Sequence, residues 1–177
     1  MKRFWMIFLA AAVLLSLSAC GVGDVGGASS QSASSAASSQ APSALSQKVK
    51  EDSVPDSLSG LQKYLQGNAS VTGTAEKMRA DIIGAVSGVR YQYSYGGGKN
   101  NVTLELYEYD PSKLNAAAQK VLSQVRANGG FTLLGQKIGA VLSDNEKYLM
   151  IYKNSATDSG NKAYTDQIAK LFRGFKK

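Results

Sequence analysis

Residues 88–110 read GVRYQYSYGGGKNNVTLELYEYD. Through residues 88–95 and again through 102–109, similar side chains recur at every second position. This is the period of a β-strand whose two faces differ. The connecting residues, GGGKNN, are types that favour tight turns and open no helix, so we read them as a hairpin loop and not as a phosphate-binding loop. The segment therefore predicts an antiparallel β-hairpin.

Two segments with apolar residues at helical spacing precede this hairpin. Residues 56–66 and 74–86 each place apolar side chains three or four positions apart, and Asp56 or Ser57 can serve as the first N-cap. The period changes from helical to two at Gly88. The pattern thus predicts two helices before the first strand.

The remaining elements follow the hairpin. Asp110 and Pro111 indicate the start of a third helix, which Asn128 and the two glycines after it end. We then expect one or two short strands within 131–142, a turn at Asp144-Asn145, a strand over 147–153 and a helix over about 160–175. The element order α-α-β-β-α-β-β-α predicts an α+β fold, with an antiparallel sheet and its helices on one face.

The N-terminus has the layout of a secretion signal. Lys2 and Arg3 precede an apolar stretch over residues 4–15, which is shorter than the ~20 residues of a membrane-spanning helix. Residues 17–20, LSAC, resemble the lipobox of bacterial lipoproteins, in which small residues precede an obligatory cysteine. The resemblance implies removal of residues 1–19 and lipidation of the Cys20 thiol with fatty acyl chains. The alternatives are an ordinary secretory signal or an uncleaved N-terminal helix.

Residues 20–54 have the composition of a tether. Their centre, ASSQSASSAASSQAPSALSQ, contains too few large apolar residues to offset the entropy of ordering, so we expect disorder and a reach of roughly 30 Å. The predicted organisation is a signal peptide over 1–19, the lipidated cysteine and tether over 20–54, and a single domain over 55–177. The predicted location is the extracytoplasmic face of the cell membrane.

A second resemblance lies within the domain. Residues 102–110, VTLELYEYD, followed by a helix, a glycine-rich strand and a strand ending near Lys153, are similar to small uncharacterised lipoproteins of Gram-positive bacteria. The similarity extends from Gly88 to the C-terminus. It implies no activity, because no catalytic residues are assigned in that group that could be carried over.

Composition excludes several kinds of site. The chain has 177 residues, no histidine and one cysteine, so it contains no disulfide framework, no cysteine cluster for a metal and not the commonest general base, histidine. We predict no catalytic residue, no metal and no cofactor. Glu105 and Glu108 point to opposite faces of one strand, which excludes a paired-carboxylate site, and each is expected to pair with Lys or Arg across the sheet.

The net charge of +7 suits contact with anionic material. Attraction to anionic lipid or to an anionic wall polymer is one interpretation, and a solvated basic surface without a partner is the other. Cations near the end of the last helix fit either interpretation, because they also complement the helix dipole. Nucleic acid is not an expected partner outside the membrane.

Tyrosine is concentrated in the predicted strands. The alternation puts Val102, Leu104 and Leu106 on one face of the second strand, which we expect to be the core face. The other face then carries Thr103, Glu105, Tyr107 and Tyr109. The tyrosines of the first strand fit either face; these are Tyr91, Tyr93 and Tyr95.

If helices cover one face only, Glu105, Tyr107 and Tyr109 form an exposed interaction surface suited to a sugar, a peptide or a protein partner. The alternative is that tyrosine is simply a favourable strand residue. The sequence thus favours a non-catalytic interaction module that contacts an envelope protein or wall polymer. A small-ligand receptor or sensor subunit is the second hypothesis, and an enzyme is the third.

Overall fold

The computed structural model describes residues 48–95, 100–155 and 159–177. The predicted signal peptide, Cys20 and the tether up to residue 47 lie outside the described residues, as does most of the hairpin loop. Within the described ranges, no helix is long and apolar enough to cross a membrane.

The described chain combines helices with an antiparallel sheet. Its α-helices are α1 Leu58–Ala69, α2 Ala116–Asn128 and α3 Ser159–Arg173. Its strands are β1 Glu76–Lys77, β2 Ser87–Tyr95, β3 Asn100–Glu108, β4 Gly130–Leu133, β5 Gln136–Gly139, β6 Val141–Leu142 and β7 Tyr148–Asn154. Short 3-10 helices occupy Glu51–Ser53 and Ala80–Ile83. The predicted α+β class is confirmed.

The predicted hairpin forms the centre of the sheet. Strands lie in the order β1-β2-β3-β7-β6, and every neighbouring pair is antiparallel. Arg90 lies opposite Glu105 across β2 and β3, and Glu105 lies opposite Ile151 across β3 and β7. Strands β4 and β5 form a separate hairpin.

Both faces of the sheet are covered, so the prediction of helices on one face is wrong. The first face, as we call it, packs against α1 and α3 through side chains such as Leu104 and Phe172. The second face packs against α2, the 3-10 helix Ala80–Ile83 and the β4–β5 hairpin, with Leu149 in that core. The physical reason is that the central strands bury side chains in both directions, and a strand buried on both faces needs two covering layers.

The second predicted helix is also wrong. Within 74–86, Glu76 and Lys77 pair with the edge of β2, and only a single 3-10 turn follows them. That turn ends at Gly84, whose φ of 74° stops a right-handed helix. Pairing with the sheet edge therefore prevails over the helical spacing of the apolar residues.

The third helix begins later than predicted. The Asp110 carboxylate accepts hydrogen bonds from the backbone and hydroxyl of Ser112 and so forms a turn. Asn115 is the actual N-cap of α2, with its side chain accepting from Ala118 N at 2.9 Å. The end of the helix is confirmed, because Gly129 adopts a φ of 64° and its N–H donates to Val125 O.

The folded part of the chain starts earlier than residue 55. The Val49 carbonyl accepts a hydrogen bond from the Asn68 side chain at 2.8 Å, and the Val54 side chain is buried in the first-face core. At the other end of the chain, Lys176 donates to the carboxylate and carbonyl of Glu51. The predicted tether therefore ends before Lys48, because the residues after it pack against α1 and the C-terminal tail.

Candidate functional site

The predicted tyrosine surface is not exposed. Tyr107 is 5% exposed and Tyr109 is 1% exposed, because the second covering layer lies over both rings. The Tyr109 hydroxyl donates to Ile83 O at 3.3 Å, which joins the strand to that layer. The prediction that these two rings form an exposed interaction surface with Glu105 is wrong.

The tyrosines of β2 belong to the first face. The Tyr91 hydroxyl donates to the Gln62 side chain at 2.8 Å, and Tyr93 exchanges a hydrogen bond with Tyr164 at 2.8 Å. These contacts join the sheet to α1 and α3. The alternation left both faces open for these residues, and packing assigns Tyr91 and Tyr93 to the core face.

The covering layer of the second face stops near Glu105 and leaves a groove of about 300 Å³. Beyond this boundary, the second face is polar, and the side chains of Gln92, Asn101 and Lys153 are exposed. The groove, named here the boundary groove, is lined by Met78, Arg79, Ile82, Ile83, Arg90, Glu105, Tyr107, Leu133, Ile138, Ile151 and Lys153. It therefore lies between the 3-10 helix, the β4–β5 hairpin and the sheet.

Three hydrogen-bonded side chains form the polar floor of the groove. One Glu105 carboxylate oxygen accepts from Arg90 Nη2 at 2.7 Å and Nε at 3.0 Å, and the other accepts from the Tyr107 hydroxyl at 2.9 Å. Burial raises the pKa of Tyr107, and the Glu105 charge and hydrogen bond raise it further. Tyr107 is therefore a neutral donor at physiological pH, and the pairing of Glu105 with an arginine across the sheet is confirmed.

The walls of the groove are apolar. Ile83 and Ile151 are buried at its base, while Leu133 and Ile138 are half-buried on the hairpin side. Ile82 is 52% exposed on the opposite wall. Apolar walls around a small polar floor are the usual composition of a binding site.

Charged side chains surround the opening. The ion pair between Arg79 and Asp81 has an N–O distance of 3.0 Å, and both of its side chains are largely exposed. Lys153 is exposed and makes no ion pair with any other residue in the described ranges. Because an exposed ion pair is readily exchanged, the rim offers cations to an incoming carboxylate.

Glu108 has a structural role on the opposite face, as the spacing predicts. Its carboxylate accepts from Leu58 N at 3.2 Å at the start of α1 and from the Ser87 hydroxyl at 3.2 Å. Lys147 lies 3.5 Å from the same carboxylate and 3.2 Å from that of Asp56. Burial alone would raise the pKa of Asp56, but hydrogen bonds from Tyr148 and Lys147 outweigh it and lower that pKa.

The described side chains are mutually satisfied. Every buried side-chain nitrogen and oxygen in the described ranges has a hydrogen-bond partner, and no three His, Cys, Asp or Glu side chains there come together as metal ligands. The internal hydrogen bonds of the polar floor therefore fix the shape of the groove, while its walls can take up apolar surface of a ligand.

Comparison with models of protein families, with curated proteins and with solved structures found no significant match to this chain. The groove has to be judged from its own geometry. Sequence reasoning identified Glu105 and Tyr107 but missed the groove, because its walls come from the segment misread as a helix and from a hairpin distant in sequence. The one available signal was the apolar pair Leu133 and Ile138 around the turn at Gly135.

Proposed function

We propose that the chain is a lipid-anchored, extracytoplasmic bacterial lipoprotein whose domain is a non-catalytic binding module. The boundary groove would bind a segment of another envelope component that carries an apolar side chain beside a carboxylate. The observation that carries the binding role is a groove with apolar walls, a fully paired polar floor and cations at its rim.

The anchor is supported by the sequence of residues 1–20. A basic start, a short apolar stretch and LSAC together have the order that lipoprotein processing requires. A doubly acylated cysteine gives stable membrane attachment, whereas a single acyl chain is marginal. The proposed location follows from this segment.

Binding is favoured over catalysis by the state of the polar groups. A general base needs a free acceptor, but both oxygens of Glu105 are occupied by Arg90 and Tyr107. The raised pKa of Tyr107 also keeps its hydroxyl protonated, so it is a poor nucleophile. These groups are suited to fixing the shape of the groove.

The ligand chemistry follows from the two sides of the groove. Ile82 on one wall and Ile138 on the other leave space for an apolar side chain, which would gain about 25 cal/mol for each Å² of apolar surface buried. A neighbouring carboxylate would reach Lys153 or Arg79 at the rim. Hence a peptide with leucine between glutamates fits better than the same peptide with lysines.

The test uses a capped tetrapeptide with two leucines between two glutamates, and a control peptide with lysines in place of the glutamates. Methyl NMR spectra of the unlipidated Cys20→Ser chain should shift at Ile82, Ile138 and Ile151 with the glutamate peptide. Ile82→Asp should weaken binding by roughly tenfold or more, because it puts a carboxylate on an apolar wall. Shifts at other methyl groups only, or none at millimolar peptide, would disprove the proposal.

Val86→Asp is the matched control, because Val86 is exposed, lies in the same segment and does not line the groove. Its affinity should stay within about twofold of wild type. The small-ligand receptor remains the second candidate, since about 300 Å³ is at the lower limit of ligand sites. It would be preferred if free amino acids or sugars shifted the same methyl groups more strongly than either peptide.

A further inference from the structure

We propose that the α1–α3 side of the domain lies against the anionic headgroups of its own membrane, so that the boundary groove faces away from the bilayer. The inference rests on the lipid anchor proposed above. It adds an orientation, a partner surface and the residues that contact it.

The first observation is where the chain joins the domain. Whatever path residues 21–47 take, the chain from Cys20 reaches the domain at Lys48. The next residue, Val49, lies against Gly67 near the end of α1, and its carbonyl accepts from Asn68. The anchor is therefore connected to the domain on its first-face side.

The second observation is a set of cations on this side, named here the basic side. It comprises Lys48, Lys50, Lys63, Lys170, Arg173 and Lys177, all of which are exposed. Within the described ranges only Lys177 of this set forms an ion pair, with Asp144 at 2.7 Å. The other cations of the basic side form no ion pair in the described ranges, and Asp144 and Asp166 are the acidic residues that line the same depression as Lys170 and Arg173.

The helix dipole explains the positions of only some of the cations on the basic side. Lys170 and Arg173 lie in the last turn of α3, where cations are favourable without any partner. Lys63 lies in the middle of α1, and Lys48 and Lys50 precede the first 3-10 helix, where no such stabilisation exists. Moreover, α1 contains no acidic residue.

Contact with phospholipid follows from the position of these cations. The opposite side of the domain also carries exposed lysines, so net charge alone does not select a side. The point of attachment favours the basic side, because the chain from Cys20 joins the domain next to it. Each Lys or Arg near an anionic surface adds attraction to it, which adds orientation to the anchoring by lipid.

The groove then faces away from the membrane. It lies on the second face, and the sheet separates it from α1, α3 and the residues after Lys48. A partner from the wall or from another envelope protein could reach Ile82 and Ile138 without displacing the domain from the lipid. The two surfaces are therefore compatible in one orientation.

The experiment measures lysine acylation in the full lipidated protein on vesicles. A water-soluble acylating reagent is applied to protein on phosphatidylglycerol vesicles and on phosphatidylcholine vesicles, and each lysine is quantified by mass spectrometry. On the anionic vesicles Lys48, Lys63 and Lys170 should react roughly threefold or more slowly, and the protection should disappear in 1 M salt. Lys120 and Lys137, on the opposite side, should react equally on both.

Charge-reversal variants distinguish electrostatic contact with the lipid headgroups from simple crowding of the protein at the membrane. Lys170→Glu with Arg173→Glu should reduce the protection of Lys48 and Lys63, whereas Lys120→Glu with Lys137→Glu should leave it unchanged. All four positions are exposed, and circular dichroism checks that each variant is folded. Equal protection of both sides, protection of Lys120 and Lys137 only, or no protection would overturn the orientation.

Three further outcomes have separate meanings. If the protein is recovered unlipidated and Cys20→Ser changes nothing, the anchor fails and the inference falls with it. If lipidated protein floats with the vesicles but Lys48 and Lys170 stay fully reactive, only the orientation fails. If a soluble polyglycerol phosphate protects these lysines on neutral vesicles as strongly as anionic lipid does, wall polymer replaces phospholipid as the partner and the inference is overturned.

Discussion

Glu105 and Glu108 lie on one strand but hold different parts of the molecule together. Glu105 binds Arg90 and Tyr107 within the second face, whereas Glu108 binds the first turn of α1 on the other face. The difference follows from their spacing of three residues, because side chains alternate along a strand. One carboxylate shapes a groove and the other positions a helix.

Removing the charge of Glu105 should destabilise the domain. Arg90 is half-buried and Tyr107 is buried, and charge-assisted hydrogen bonds of this kind contribute about 1.5–3 kcal/mol, so Glu105→Gln should lower the free energy of unfolding by an amount in that range. Glu146→Gln is the control, because Arg126 also donates through Nε and Nη2, here to the two oxygens of Glu146, but this pair is about half exposed. It should cost less than about 1 kcal/mol in urea unfolding. Equal losses would contradict this reading.

The sequence predicts which face of the sheet a side chain lies on, but not whether that face is covered. The alternation in β3 correctly separates Leu104 and Leu106 from Glu105 and Tyr107. It could not show that Tyr107 is buried, because burial depends on a layer formed by residues distant in sequence. Hydrophobic periodicity identifies the two faces of a strand but not what covers each face.

The segment 74–86 shows how an element changes with its surroundings. Its apolar spacing is helical, yet β1 pairs with the sheet edge and Gly84 closes a single 3-10 turn beside α2. A Cβ on Gly84 would lie 2.3 Å from the Ala118 nitrogen, so the close approach needs glycine for steric reasons as well as for its φ. The close contact with α2 positions Ile82 at the groove.

Gly84→Ala and Gly135→Ala should separate these two effects. Both glycines have a positive φ, 74° and 78°, but a Cβ on Gly135 would meet open space. Gly135→Ala should therefore cost about 1–2 kcal/mol from backbone strain alone. Gly84→Ala should cost about 1–3 kcal/mol more, because α2 must move. Chemical unfolding of both variants measures the difference, and similar losses would show that packing at Gly84 is loose.

The fold class could be predicted from the sequence, but the arrangement of the layers that cover the sheet could not. The central hairpin, α3 and the strand β7 have strong local patterns, and the structure confirms them. The second covering layer depends on β4, β5 and Ala80–Ile83, which are too short to give a periodic signal. The boundary groove lies in that layer, so the sequence could not reveal it.

The two cores should unfold together, because they share strands β3 and β7. Leu61 is buried in the first-face core and Leu122 in the second-face core. Leu61→Ala and Leu122→Ala should each lower the free energy of unfolding by about 2–5 kcal/mol within one cooperative transition. Far-ultraviolet circular dichroism and tyrosine fluorescence should give coincident curves. Two separate transitions, each moved by only one variant, would contradict a shared core.

The contact between Glu51 and Lys176 brings the two ends of the described domain together. The first and last described segments touch, which is the arrangement of ends that allows a circular permutation to be tolerated. A short linker could join these ends, and new termini could open at the β4–β5 turn, where Leu134 is 93% exposed. Such a circular permutant would keep both cores while moving the attachment point of the proposed lipid anchor to the opposite side of the sheet.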